Sequence, residues 1–312
     1  MKILIYGTGA VGGYLLALLT KNKLNVSSVS RGETYKTLQS NPLSLNSKTH
    51  GSFTIDVLTI DSPENDYPDL IIYCVKSYHN DVAITELKKY VGKDTLILSL
   101  QNGFEGIGKL KQTFDSNNVL SGAIYIDVVV QSLGEIVHLG DKARIVMGFE
   151  DANIDKNASL TEFSNLFIES GIDLLIPNDI KKELWKKFIG LVSFAGPTTA
   201  ANLRLNFLLE TSLGRNFIQG TLEEAWNVAH ALGIDVKKSF IDDTFKKGLM
   251  NAEDFLSSMH TDFMKGNPLE LNSLNGYIVK LAYELGIQVP INKTICAILE
   301  SYINGKRKKT IK

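Results

Sequence analysis

Three glycines at positions 7, 9 and 12 follow the apolar run "KILIY" in "KILIYGTGAVGGYL". That spacing suits the phosphates of a dinucleotide. Gly7 permits a tight turn out of a strand, Gly9 offers no side chain to obstruct a pyrophosphate, and Gly12 lets the next helix pack close to the sheet. Thr8, Ala10 and Val11 complete the loop and first helical turn, whose amides would point at the phosphates, where the helix dipole favours negative charge. Taken alone, the spacing also fits a glycine-rich structural turn. Its place after a strand and before a helix favours the cofactor.

Three more positions extend this chemistry. NAD-selective domains usually carry Asp or Glu at the end of the second strand, to hold the ribose 2′-hydroxyl. Here that region reads "SVSRGE", with Ser30 and Arg31 in place and Glu33 later. Arg31 can pair with a 2′-phosphate and stack on adenine, which points to NADPH; the competing reading is a solvated loop cation. "YCVKSYHNDV" puts Lys76 at the carboxyl end of a buried strand, and "LSLQNGFEG" puts Asn102 at the end of the next. Ligands of open α/β sheets bind at that edge, although Asn102–Gly103 is also a good turn pair.

The elements that must position these residues are legible as a rhythm. Strands "KILIY", "NVSSVS", "DLIIYCVK" and "TLILSL" alternate with helices at Ala10 to about Lys21, "DVAITELKKYV" and "FEGIGKLKQTF". Val11, Leu15, Leu18 and Leu19 share one face of the first helix. This pattern predicts an α/β domain with a mostly parallel sheet covered by helices. "VLSGAIYIDVVVQSLGEIVHLG" then reads as antiparallel strands with a turn at Leu133–Gly134, and "ARIVMGF" adds one strand. From about Asp179 the chain reads as successive helices. The expected boundary lies near Pro177, giving domains 1–177 and 178–312, with Asn178 or Asp179 as a helix N-cap.

Composition narrows the function classes. The chain has 312 residues, 33 basic against 34 acidic, and a net charge of −1, so nothing general favours nucleic acid or an anionic membrane. The basic tail "NGKRKKTIK" is read as a solvated terminus. Two cysteines, Cys74 and Cys296, have no CxxC neighbour and no histidine in metal spacing. A reduced, cytoplasmic protein without a bound metal is the simple expectation. No signal-peptide pattern precedes the first strand. No apolar run reaches the ~20 residues of a membrane span, and "FIGLVSFAGPTTAA" is read as broken by Gly196 and Pro197.

In sequence order, "GTGAVGG", Arg31, "VKS", "QNG", "LWKK" and "SSMHTDFMKGNPLELNSLNG" resemble the ketopantoate reductase (2-dehydropantoate 2-reductase) family over almost the whole chain. The resemblance implies an N-terminal Rossmann-type domain, an all-helical C-terminal domain and an active site between them. It implies NADPH-dependent reduction of a 2-oxo acid in pantothenate synthesis. The family's catalytic lysine falls on Lys187 in "ELWKKFIG", with Lys186 a solvated neighbour and Trp185 a packing residue. Its glutamate falls on Glu270 in "PLELNSLNGY", and its serine on Ser258, with Asp262 four residues further along. Asn102, Lys187, Ser258 and Glu270 would then face the substrate. An ammonium in a desolvated cleft can stabilise the developing oxyanion and donate the proton.

One departure stands out. Where the family carries asparagines about one and two turns after the lysine, this chain has Leu191 and Ala195, with Asn202 beyond them. A reductase of another 2-oxo acid, a 3-hydroxyacid or glycerol-phosphate type dehydrogenase, and a non-catalytic NADPH-binding protein are the alternatives. The expected partners are a small 2-oxo acid and, at most, a second copy of the chain.

Overall fold

The computed structural model describes residues 1–62, 66–150, 157–253 and 255–306; most of the basic tail lies outside them. The chain divides into two compact units, Met1–Ile180 and Lys181–Lys312. In the first unit the order is β1 (Lys2–Tyr6), α1 (Ala10–Lys21), β2 (Asn25–Val29), α2 (Gly32–Ser40), β3 (Leu43–Ser47), β4 (Gly51–Ile55) and β5 (Leu58–Ile60). There follow β6 (Leu70–Tyr73), α3 (Asn80–Leu87), β7 (Leu96–Ser99), α4 (Glu105–Thr113), β8 (Val119–Tyr125), β9 (Val128–Ser132), β10 (Glu135–His138), β11 (Arg144–Gly148), α5 (Asn157–Glu169) and β12 (Asp173–Leu175).

The main sheet has eight strands in the order β12-β11-β8-β7-β6-β1-β2-β5. Strands β8, β7, β6, β1, β2 and β5 pair in parallel, whereas β11 runs antiparallel to β8. The register places Tyr6 beside Tyr73, and Tyr73 beside Ser99, so the strand ends form one edge. β6 and β7 are buried along their whole length, as near-continuous apolar strands covered on both faces should be.

A second sheet, β4-β3-β10-β9, departs from the expected continuous antiparallel run. β9 and β10 do form a hairpin about Leu133–Gly134, with Gly134 at φ +78°. β8, however, joins the main sheet in parallel beside β7. The apolar match of β8 to the buried sheet separates it from its sequence neighbours. The small sheet also explains α1. Every residue from Gly12 to Leu19 is buried, not one face alone, because Ile136, Leu43 and Leu45 belong to the same core cluster as the α1 leucines. A helix covered on two sides has no polar face to keep.

The second unit is helical: α6 (Ile180–Ala201, beginning at the last residue of the first unit), α7 (Leu205–Glu210), α8 (Ser212–Ala231), α9 (Ser239–Met250), α10 (Ser258–Lys265), α11 (Asn275–Leu285) and α12 (Pro290–Leu299). Here a correction is needed: α6 is not broken at Gly196–Pro197 but continues through them to Ala201. Proline removes one backbone donor and normally ends or kinks a helix. Thr198 Oγ1 donates to the Phe194 carbonyl at 2.6 Å, and Thr199 Oγ1 to the Ala195 carbonyl at 2.6 Å, back-bonds to the two carbonyls that follow Ser193, whose own helical donor Pro197 removes. Among the described residues, no helix is long and apolar enough to cross a membrane.

Candidate active site

In the first unit, the carboxyl ends of neighbouring strands β2, β1, β6 and β7 carry the candidate cofactor residues. Gly7 leaves β1 at φ +100°, a conformation that side chains with a Cβ rarely adopt. A Cβ on Gly12 would overlap the Gly7 carbonyl oxygen, so the loop and α1 can approach only because Gly12 lacks one. A Cβ on Gly9, by contrast, would meet nothing within 4 Å. That open ground lies at the N-cap of α1, whose first turn holds no acidic residue. Thr8, Ala10 and Val11 complete this turn. The arrangement suits a pyrophosphate, and the residues present therefore fit a dinucleotide.

The loop is tied to the end of β2 by a short hydrogen bond between the Thr8 and Ser30 hydroxyls. Arg31 follows, and its guanidinium pairs with Glu86 on α3 with both side chains 45% exposed. Lys76 lies just beyond β6 and is partly buried, as is Asn102 beyond β7. Gln101 was quoted in its motif but given no role in the sequence reading. It is buried, and its Nε2 donates to the Val75 carbonyl at 2.5 Å and to Asn80 Oδ1 at 2.7 Å. Tyr73 Oη also donates to Asn80 Oδ1, at 3.0 Å. Gln101 thereby locks the loop bearing Lys76 to the loop bearing Asn102. A glutamine two residues past a fully buried strand was the available signal.

In the second unit, Lys187 lies in the second turn of α6. Trp185 is buried beside it, its ring 5.6 Å edge-on from Phe188, which in turn meets Tyr277 of α11 at 6.0 Å. Lys186 instead pairs with Glu183 at 2.6 Å, with the two side chains 32% and 30% exposed. Burial lowers the Lys187 ammonium from 10.5 to about 8, and the negative charge of Glu270 partly opposes that fall. Glu270 is buried in the turn before α11. Lys187 and Glu270 thus act on one another, and a lysine at this value can give up its proton near neutral pH.

Ser258 is the exposed first residue of α10, while buried Ser257 caps that helix by accepting from the His260 backbone N–H at 3.1 Å. Asp262 accepts from Asn267 Nδ2 at 3.1 Å. Leu191 is partly exposed on α6 and Ala195 is fully buried. Asn202 follows α6 at φ +51°, and its Oδ1 accepts from His260 Nε2 at 3.2 Å. Burial pushes the thiols of Cys74 and Cys296 up to about 12 and about 11, so neither is an activated nucleophile. Among the described residues, no group of three His, Cys, Asp or Glu could hold a metal ion.

Comparison with known proteins identifies the family and the fold. The chain is 26% identical over 302 residues to an uncharacterized oxidoreductase, YkpB, of Bacillus subtilis, covering 97% of this chain and 99% of the relative. A crystal structure of 2-dehydropantoate 2-reductase from Geobacter metallireducens superposes with a TM-score of 0.88 at 25% identity, covering 96% of this chain and 99% of that one. D-mandelate dehydrogenase, solved with NADH and anilino(oxo)acetate, shares the fold with a TM-score of 0.89 at 18% identity, over 98% of this chain and 100% of that one. The family profile "Ketopantoate reductase PanE/ApbA" matches residues 3–151, and its C-terminal counterpart matches residues 179–302. With both halves matched in order along one chain, the protein belongs to the ketopantoate reductase PanE/ApbA family of oxidoreductases.

Proposed function

We propose that this protein reduces a 2-oxo acid to the 2-hydroxy acid with NADPH, and that the substrate is 2-dehydropantoate (ketopantoate), yielding pantoate. The observation that carries this reading is Lys187, a lysine that burial lowers to about 8 against the opposing charge of Glu270. Residues 1–177 would hold the cofactor and residues 178–312 would supply the reacting groups. The family's cofactor is a nicotinamide dinucleotide. Gly7, Thr8, Gly9, Ala10, Val11 and Gly12 would cradle its pyrophosphate, Arg31 its 2′-phosphate, and Lys76 and Asn102 its further reach. Arg31 supports NADPH over NADH because no carboxylate occupies the position just after β2 and a guanidinium matches a phosphate bidentately.

Bound, the reduced nicotinamide supplies the hydride. Lys187 holds a proton at Nζ beside the ketone oxygen and stabilises the negative charge that develops there. It then donates that proton, leaving a neutral amine that water reprotonates. Glu270 favours the charged amine and so keeps the donor loaded at neutral pH. Asn102 and Ser258 orient the substrate.

A second reading keeps the chemistry and changes the substrate. Leu191 and Ala195 present aliphatic groups one and two turns beyond Lys187, where the resemblance expects asparagines. A site lacking those two amides discriminates less well in favour of a hydroxylated side chain. NADPH oxidation followed by nicotinamide absorbance, with ketopantoate beside a panel of other 2-oxo acids, decides between them. Preferential turnover of ketopantoate supports the first reading, and preferential turnover of an unhydroxylated acid the second. Tight NADPH binding with no turnover of any member overturns both.

A further inference from the structure

We propose that Asn275, seated against Gly196, is a positioning residue that holds the Lys187 helix and the Glu270 turn in register; the proposal rests on the reading of those two residues given above. Asn275 is fully buried at the start of α11. Its Nδ2 donates to the Val192 carbonyl on α6 at 3.1 Å and to Asn292 Oδ1 at 2.9 Å. Asn292 is also fully buried. Its Nδ2 and its backbone N–H donate to Glu224 Oε2 at 2.8 and 2.9 Å, while the Ile291 N–H donates to Oε1 at 2.8 Å. A carboxylate on α8 therefore caps α12, fixes Asn292, and through it aims the Asn275 carboxamide at the backbone of α6.

Gly196 makes this contact possible. A Cβ there would lie 2.5–2.8 Å from the Asn275 carboxamide atoms, so only glycine admits the amide to this face of α6. The residue that reads as a helix breaker in the sequence is instead a point of close approach inside a continuous helix. The contact lies one residue before the Ser193 carbonyl, whose helical donor Pro197 removes.

Both ends of the tie lead to the reacting pair. Val192 is five residues beyond Lys187 on α6, and Asn275 is five residues beyond Glu270. The turn between Glu270 and Asn275 is closed by Ser273 Oγ donating to the Glu270 carbonyl at 3.0 Å and the Gly276 N–H donating to the Leu271 carbonyl at 2.9 Å. Displacement of Asn275 would therefore move Glu270 relative to Lys187. Asn275 Oδ1, moreover, is buried without a hydrogen-bond partner. The amide is therefore held by its Nδ2 contacts alone, and an apolar side chain in its place would leave buried Asn292 Oδ1 without its donor.

The test compares Gly196→Ala, Asn275→Ala and the double variant, in the full chain, with ketopantoate or whichever 2-oxo acid the wild type turns over. Alanine at 196 clashes with the amide, and removing the amide relieves the clash, so the double variant restores packing without restoring the tie. The expected result is a loss in kcat of about 10- to 100-fold in the double variant, which stays folded at the assay temperature with NADPH affinity unchanged but melts below wild type because Asn292 Oδ1 loses its donor. The single variants should lose at least as much, and the double should be no worse than Asn275→Ala. The basic limb of the kcat–pH profile should move to lower pH, because Lys187 loses part of the Glu270 charge that holds its proton. A folded double variant with wild-type kcat and an unmoved basic limb overturns the proposal. Lys187→Ala is run alongside: if that variant turns over normally, the reading of the reacting pair has failed, not the positioning.

Discussion

If Lys187 is the proton donor, turnover must fall as Lys187 loses its proton. Burial places its value at about 8, well below the 10.5 of a solvated lysine. About nine tenths of the protein then carries the proton at pH 7, and about one tenth at pH 9. With proton donation in the rate-limiting step, kcat should drop about tenfold between those pH values and keep falling tenfold for each further unit. Glu270 supplies a second handle whose sign is fixed. Its carboxylate raises the Lys187 value, so Glu270→Gln should shift the limb to lower pH while burial continues to act. The same shift bears on stability. The unfolded chain binds this proton up to about 10.5 and the folded chain only up to about 8, so stability contributed by this site rises with pH across that window and is least below it. The assay is steady-state NADPH oxidation at saturating substrate from pH 6 to 10, with cofactor binding measured separately at each pH. A flat profile through pH 9, or a limb that Glu270→Gln moves upward, would refute the reasoning.

Other expectations concern the cofactor. Arg31→Ala should weaken NADPH about 10- to 100-fold and leave NADH nearly unchanged, since a charge-assisted contact contributes about 1.5–3 kcal/mol. The Arg31–Glu86 pair is half exposed, so stability should change by less than about 1 kcal/mol; equal losses for both cofactors in titration would remove the basis for NADPH. Gly9→Ala meets open space and should melt like wild type yet bind NADPH poorly. Gly12→Ala should melt lower, because its Cβ overlaps the Gly7 carbonyl. A calorimetric scan showing the reverse pattern would contradict the assigned glycine roles. Leu16, fully buried between the two sheets, should cost about 2–5 kcal/mol on truncation to alanine, read by chemical denaturation.

Local signals carried much of this molecule. α1 runs from Ala10 to Lys21 as its periodicity indicates, and the βαβ rhythm places Gly7, Arg31, Lys76 and Asn102 at one edge of a parallel sheet. The small sheet was harder to read. β3 and β4 do alternate, with Leu43, Leu45, Phe53 and Ile55 on the more buried face, but each is only five residues long and β4 has no fully buried residue. β8 pairs with β7 through apolar matching that only tertiary structure reveals. Gly196 and Pro197 misled for a similar reason: propensity predicts a break, while packing that only the fold shows, the Asn275 amide against Gly196 among it, accompanies a helix that continues to Ala201. At the site, Lys187 and Glu270 came from resemblance, because a lysine-rich helix and a lone glutamate look solvated in isolation. Their burial and charge coupling are properties of the fold. Gln101 and Asn275 were overlooked because their roles are hydrogen bonds to residues distant in sequence.

The central claim, reduction of a 2-oxo acid by Lys187, is tested most directly by turnover of Lys187→Ala beside wild type, with NADPH affinity measured on the same preparations. The account predicts that wild type oxidises NADPH in the presence of ketopantoate or another 2-oxo acid. It further predicts that the variant binds NADPH equally well and loses about 10²- to 10⁴-fold in kcat. Turnover within a few-fold of wild type in the variant would contradict it.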